Sequence, residues 1–222
     1  MKFIDPVEYT HGREYQDNHW TPHGDKEIMS SEIIESVFLT PIPSSYRKEL
    51  GKNAYIDNIG MQRLEWVVCA RSSSGAEGIS IANRLMREGT VESTLAYIKS
   101  ALLGREVDQL LEISEGVVTG AGPGMDRWYR RNGWMTILAF DLVGKVQRVS
   151  AIDLLGGPKH DSVPAYDTTL YFQDFLNPSR GAQQVADEAY QAVTDGWRAV
   201  KLKIGRGGRW MLPEAGMQRD IE

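Results

Sequence analysis

The sequence predicts two architectures in succession: an α+β region built from an antiparallel meander and helices, then the opening of an α/β unit with parallel strands. Three observations carry this. The early apolar segments are short, rich in β-branched residues and separated by turn signals. The middle of the chain changes to helical periodicity. After Gly156-Gly157-Pro158 the pattern becomes strand, helix, strand, helix, the rhythm of a parallel sheet.

The 222 residues suffice for one large domain or two small ones. A composition of 41% hydrophobic and 25% charged residues is ordinary for a globular chain. The formal net charge of −5 argues against nucleic acid or an anionic membrane as the main partner. No apolar run reaches the roughly 18 residues that a membrane span requires, and the N-terminus lacks the apolar region of a signal peptide. Cys69, the single cysteine, lies within Trp66-Val67-Val68-Cys69-Ala70. It reads as a small buried hydrophobe, and with no disulfide framework the expected compartment is a reducing cytoplasm.

Residues 1–30 are polar and irregular, and hold His11, His19 and His23. Pro22 and Gly24 flank the last pair and favour a loop over a zinc-binding helix face; no cysteine or acidic cluster completes a ligand set. Residues 33–42 read as a strand ended by Pro41 and Pro43, and 43–61 as a polar loop containing Tyr46, Arg47, Lys48, Lys52 and Tyr55. Residues 64–71 and 78–82 complete the meander around the turn at Ser72-Ser73-Ser74-Gly75. The spacing of Val91, Leu95, Ile98 and Leu102 predicts a helix closed by Gly104, and 107–118 reads as a second helix. Gly120-Ala121-Gly122-Pro123-Gly124 reads as a helix linker, since no Lys-Ser or Lys-Thr follows to make it a phosphate loop. Residues 134–149 are apolar nearly all round and predict a central buried helix, in which Asp141 needs a hydrogen-bonding or ionic partner.

Past the Leu154-Leu155-Gly156-Gly157-Pro158 hinge, 163–169 reads as a strand. Ala182, Val185, Ala186, Ala189, Tyr190 and Val193 form the apolar stripe of a helix ended by Gly196. Residues 199–204 read as a buried strand and 213–222 as a helix opened by Pro213. Within Ala199-Val200-Lys201-Leu202-Lys203-Ile204-Gly205, strand alternation puts both lysines on one face. Two adjacent ammonium groups beside apolar neighbours lower a lysine pKa towards that of a useful base. Lysines at a strand end that merely reach for solvent are the alternative.

The meander, the helix containing Ala139-Phe140-Asp141-Leu142-Val143-Gly144-Lys145, the hinge, Val163-Pro164-Ala165-Tyr166-Asp167 and the Lys-x-Lys strand occur in an order that resembles the enolase superfamily. Within it they look like the mandelate racemase and muconate lactonizing enzyme group. The resemblance covers roughly residues 31–222. It implies an irregular extension over 1–30, a capping domain over 31–158 and, over 159–222, the first two βα units of a TIM-like barrel, left incomplete. It implies proton abstraction α to a carboxylate with Mg2+ stabilising the enediolate, a pairing of base and metal that is the general description of this superfamily. By the same resemblance Lys203 is the base and Lys201 its electrostatic neighbour. Thr168 directs a hydroxyl at substrate, and Arg47 and Tyr55, on the loop that closes over the barrel mouth, contact it.

A whole barrel takes about 250 residues, and the family's metal carboxylates lie on later strands. The expectation is therefore that these 222 residues lack the metal ligands, that Glu222 supplies none, and that the chain alone is an inactive fragment. The expected substrate is a small carboxylate, an acid sugar undergoing dehydration or a 2-hydroxy acid undergoing racemisation. The expected assembly is a homo-oligomer. The competing reading is a non-catalytic module that pairs with a full-length paralogue.

Overall fold

Three strands make the first sheet. β1 (Ile34–Leu50), β2 (Gly60–Ser72) and β3 (Glu77–Ile81) lie in that order and pair antiparallel. The computed structural model describes residues 32–82 and 89–222; the three N-terminal histidines fall outside them. β1 does not stop at its prolines. Pro41 stands opposite Trp66 and Pro43 opposite Leu64, and pairing resumes at Leu50 opposite Gly60. β1 is an edge strand, and residues two apart share one phase of the ladder. Both prolines can take the phase whose backbone N–H points away from β2, where a missing donor costs no pairing. The expected 43–61 loop is thus mostly a hairpin arm, and only residues 51–59 form the connection.

Helix α1 (Val91–Leu102) begins at a capping box in which Thr90 and Ser93 satisfy each other's backbone N–H groups. The helix expected over 107–118 is absent. In its place a single 3-10 turn (Val107–Gln109) leads into a hairpin of β4 (Leu111–Ser114) and β5 (Val117–Ala121). Glu115 and Gly116 both take positive φ, 52° and 80°, as a two-residue hairpin turn demands. Leu111 and Ile113 alternate and Val117 and Val118 are β-branched, so local preference there favours strand. Gly120 and Ala121 consequently belong to β5 and are not a linker.

A short helix α2 (Asp126–Arg131) precedes α3 (Trp134–Gln147), which packs along β3. α3 is buried on one face, through Met135, Leu138, Ala139, Leu142 and Val143, while Ile137 is 62% exposed, so the helix is not enclosed all round. Its buried face meets Ile34, Val37, Val68 and Ala70 of the sheet and Ile98 and Leu102 of α1 in one core. Asp141 has the partners it needs: its Oδ2 accepts from Lys145 Nζ and from Ile79 N, each at 2.9 Å.

One turn of helix, α4 (Ala151–Leu154), leads to the second sheet. β6 (Asp167–Leu170) and β7 (Val200–Leu202) pair parallel, joined by α5 (Ala182–Thr194) and followed by α6 (Pro213–Ile221). Both strands are shorter than expected, and residues 163–166 stay outside the ladder, with Val163 81% exposed. β7 is not buried: Val200 and Leu202 are exposed, because among the described residues β6 is its sole strand neighbour. The α5 stripe is likewise only partly covered. Ala182, Val185, Ala186 and Ala189 line a cavity of about 250 Å³ with Leu170, Val200 and Leu202, and Tyr190 and Val193 face solvent. No closed barrel forms among the described residues, and no helix there is long and apolar enough to cross a membrane.

Candidate active site

The parallel register brings Lys203, just past the end of β7, against Thr168 in β6. Lys203 Nζ donates to Thr168 Oγ1 at 2.7 Å and to the Thr168 carbonyl at 2.9 Å. The same Nζ lies 4.9 Å from the centre of the Tyr171 ring. Burial lowers the Lys203 pKa, the charge of Lys201 lowers it further, and Asp167 opposes both. Lys201 itself is exposed. The expected trio of Lys203, Lys201 and Thr168 is therefore assembled, two by contact and one through its field.

The two hairpin residues expected at substrate are placed differently. Arg47 lines a cleft of about 580 Å³ with Tyr46, Asp167, Thr169, Glu188 and Trp197, and neither lysine shares that lining. Tyr55 is 84% exposed; its backbone carbonyl accepts from Arg209 Nη1 at 2.5 Å, and its ring is left to solvent. In their place the structure offers Tyr171, Tyr46 and Arg63. Burial pushes the Tyr171 hydroxyl above its ordinary value, the Tyr46 hydroxyl adds to this, and Arg63 opposes. Arg63 Nη1 donates to Tyr46 Oη, and its guanidinium sits 5.3 Å from that ring. A hairpin register would have revealed Arg63, which needs β1 to continue past its prolines until Ser44 stands opposite it.

Behind the lysines lies a buried ionic network. Arg206, 5% exposed, directs Nε and Nη2 at Asp174 (3.3 and 2.9 Å) and Nη1 at Asp220. Its guanidinium stacks 4.4 Å from the Phe172 ring. Asp220 also accepts from Gly205 N at 2.7 Å and Arg206 N at 3.2 Å, while Arg219 bridges Asp174 and Glu222. Burial drives the Asp220 pKa up, but the Gly205 N–H and the Arg206 contacts outweigh it and hold the carboxyl below its ordinary value.

These carboxylates do not fit a magnesium site. Asp174 and Asp220 face arginines, Glu222 faces Arg219, and Asp167 Oδ1 accepts from Thr169 N and Oγ1 at 2.8 and 2.7 Å. Among the described residues no three histidine, cysteine or acidic side chains converge. The charge already present is neutralised by protein cations, so a hard divalent ion, which seeks several free oxygens, finds none grouped for it.

The Lys203 titration has a measurable sign. Its folded pKa lies below the lysine value of 10.5, so in the interval between the two the unfolded chain binds more protons. Its contribution makes stability climb as pH rises through that interval and penalises the fold below it. Lys203→Met is expected to flatten this climb in urea titrations run between neutrality and about pH 10.

No family model matches the chain, and no curated protein matches it. Solved structures do. A galacturonate dehydratase from Geobacillus sp., solved with D-galacturonate and 5-keto-4-deoxy-D-galacturonate, aligns at 26% identity and TM-score 0.61 over 87% of this chain and 47% of its own. A mandelate racemase/muconate lactonizing protein from Geobacillus sp. Y412MC10, solved with magnesium and tartrate, aligns at 24% and 0.62 over the same shares. L-talarate/galactarate dehydratase from Salmonella typhimurium LT2, with magnesium and L-lyxarohydroxamate, aligns at 17% and 0.52 over 93% of this chain and 52% of its own. The chain thus spans about half the length of the structures it matches. A capping α+β region followed by opening units of a parallel barrel is the fold of these structures, and the chain shares that enolase-superfamily fold over the part that aligns.

Proposed function

We propose that this chain carries the base side of an enzyme that removes a proton α to a carboxylate. Dehydration of an acid sugar is the preferred outcome and racemisation of a 2-hydroxy acid the second. The observation that carries the reading is Lys203 Nζ held by both oxygens of Thr168 while burial and Lys201 favour its neutral form. A lowered pKa leaves more of the amine free to accept a carbon-bound proton, and the Lys201 charge attracts the substrate carboxylate. Thr168 fixes where Nζ stands, and Tyr171 walls one side of it. The ligands crystallised with the similar dehydratase and tartrate-bound structures are small hydroxy acids, which supports that substrate class.

In this reading magnesium belongs to the complete enzyme, on ligands the described residues do not supply, and the 222-residue polypeptide alone does not turn over. Its setting is a reducing cytoplasm and its assembly a homo-oligomer. The expected result is no loss of D-galacturonate with added magnesium, and no saturable magnesium binding by calorimetry. Turnover by this polypeptide alone would overturn the assignment of the metal ligands. The base is tested by acylating the chain across a pH series and reading the Lys203 peptide by mass spectrometry. Its half-maximal rate is expected below pH 10.5 and should move up in Lys201→Met; an ordinary midpoint, indifferent to Lys201, rejects the reading.

The exposure of Val200, Leu202 and Ile204 favours a second reading, a non-catalytic module seated against a longer paralogue. Co-purification with such a paralogue, with Lys203 titrating as an ordinary lysine, would select it.

A further inference from the structure

Gln173 follows β6 by three residues and is 5% exposed. Its side-chain amide reaches across to the end of β1. Oε1 accepts from Gly51 N at 2.6 Å and Nε2 donates to the Glu49 carbonyl at 2.6 Å. One side chain thus supplies the acceptor and donor that a neighbouring strand would present, at the place where the hairpin arm leaves its sheet. The approach requires glycine: a Cβ on Gly51 would stand 2.6 Å from Gln173 Oε1 and 2.8 Å from the Phe172 carbonyl. The next hairpin residue continues the contact, since the Lys52 carbonyl accepts from Phe172 N at 2.8 Å.

The residues after β7 hold the middle of the same loop. Trp210 Nε1 donates to the Asn53 carbonyl at 2.7 Å, Arg209 holds the Tyr55 carbonyl, and Lys52 Nζ lies 4.1 Å from the Trp210 ring. The 51–59 connection is therefore tied to the segments that follow both parallel strands. Nearly all of these ties are to backbone atoms of the loop, so they fix its path whatever side chains it displays.

We infer that Gln173 is a positioning residue, a clasp that docks the hairpin connection onto the ends of β6 and β7 before any ligand arrives. The clasp goes beyond the proton-abstraction reading and rests on it only for its consequence at Lys203. That consequence is direct. Tyr171, whose ring centre lies 4.9 Å from the Lys203 amine, directly precedes Phe172 and Gln173, the two residues that hold the loop. Freeing that segment loosens the Tyr171 ring from beside Lys203 and returns the amine towards the behaviour of a free lysine.

Hydrogen exchange of the full chain, read by mass spectrometry, tests the clasp. In Gln173→Ala the amides of 50–56 are expected to exchange about tenfold faster while those of β2 and β3 do not change. The Lys203 acylation midpoint should rise with them. Gln173→Glu keeps the acceptor for Gly51 but loses the donor to Glu49, so an intermediate acceleration is expected. Gly51→Ala breaks the same contact from the other side and serves if Gln173→Ala does not fold. The inference is overturned if 50–56 is unprotected in the wild-type chain, if neither variant accelerates it, or if it accelerates with the Lys203 midpoint unmoved from a lowered wild-type value. An ordinary Lys203 midpoint in the wild type rejects the base reading alone, and loop exchange then decides the clasp by itself.

Discussion

Arg206→Ala is expected to cost about 3–5 kcal/mol, the usual consequence of removing one partner from a buried ion pair. The size follows from what remains. Asp174, 4% exposed, would lose the guanidinium that meets both its oxygens and keep only Arg219, and Asp220 would keep only backbone donors. The Phe172 ring would lose the cation stacked on it, and with it the packing that joins the end of β6 to the turn after β7. Urea denaturation followed by circular dichroism measures the loss. A double-mutant cycle with Asp174→Ala should return a coupling of at least ~1 kcal/mol, since contacting residues of one network are not additive. The network also has a pH signature. The depressed Asp220 carboxyl contributes stability that is full above its ordinary value of 3.8 and disappears as pH falls through its lower folded value. Arg206→Ala should shrink that acid-side slope, since the Gly205 N–H still holds Asp220, and an unchanged slope would show that the network carries little of the fold.

Leu138→Ala is the second large effect, expected at about 2–5 kcal/mol. Leu138 is fully buried in the core between α3, the meander and α1, and its carbonyl lies where Gly78 lets β3 approach. The helix backbone is already in close contact with the strand, so it cannot sink to fill the space a shortened side chain leaves. Ile137→Ala, one residue earlier and mostly exposed, should cost well under half as much. Equal midpoints for the two variants in thermal melts would show that α3 is not anchored through this face.

The elements themselves were legible: α1 from its apolar spacing, α3 from its apolar run, α5 and α6 from stripe and proline, β6 and β7 from the strand–helix–strand rhythm, although α3, α5 and β7 are more exposed than those patterns imply. The failures have physical causes. Residues 107–118 have enough apolar spacing for a helix, but the decisive feature is a left-handed pair, Glu115 and Gly116, whose preference is set by the turn and not by the stripe. Pro41 and Pro43 signal a strand stop, which holds for a central strand and not for an edge. That signal hides the hairpin pairing, and with it the contact between Arg63 and Tyr46. The shared face of Lys201 and Lys203 was legible because a strand fixes which side chains alternate, and Thr168 was pointed to only by the resemblance. Arg206, Asp174 and Asp220 were not legible, because ordinary charged residues 32 and 14 positions apart acquire meaning only when the chain folds them together.

The prolines of β1 also give the molecule a direction of growth. The first part of that strand, Glu35 to Thr40, shares a cleft with Leu95, Lys99 and Leu103 around α1, and the part beyond it bears Pro41 and Pro43. A strand arriving at that rim meets either a helix or a backbone with no hydrogen to offer. β6 and β7 contain no proline, and β7 leaves Val200 and Leu202 in the open. β7 is thus an edge free of proline with apolar side chains beside it, the kind of edge to which a further strand can add, whereas the β1 edge is guarded.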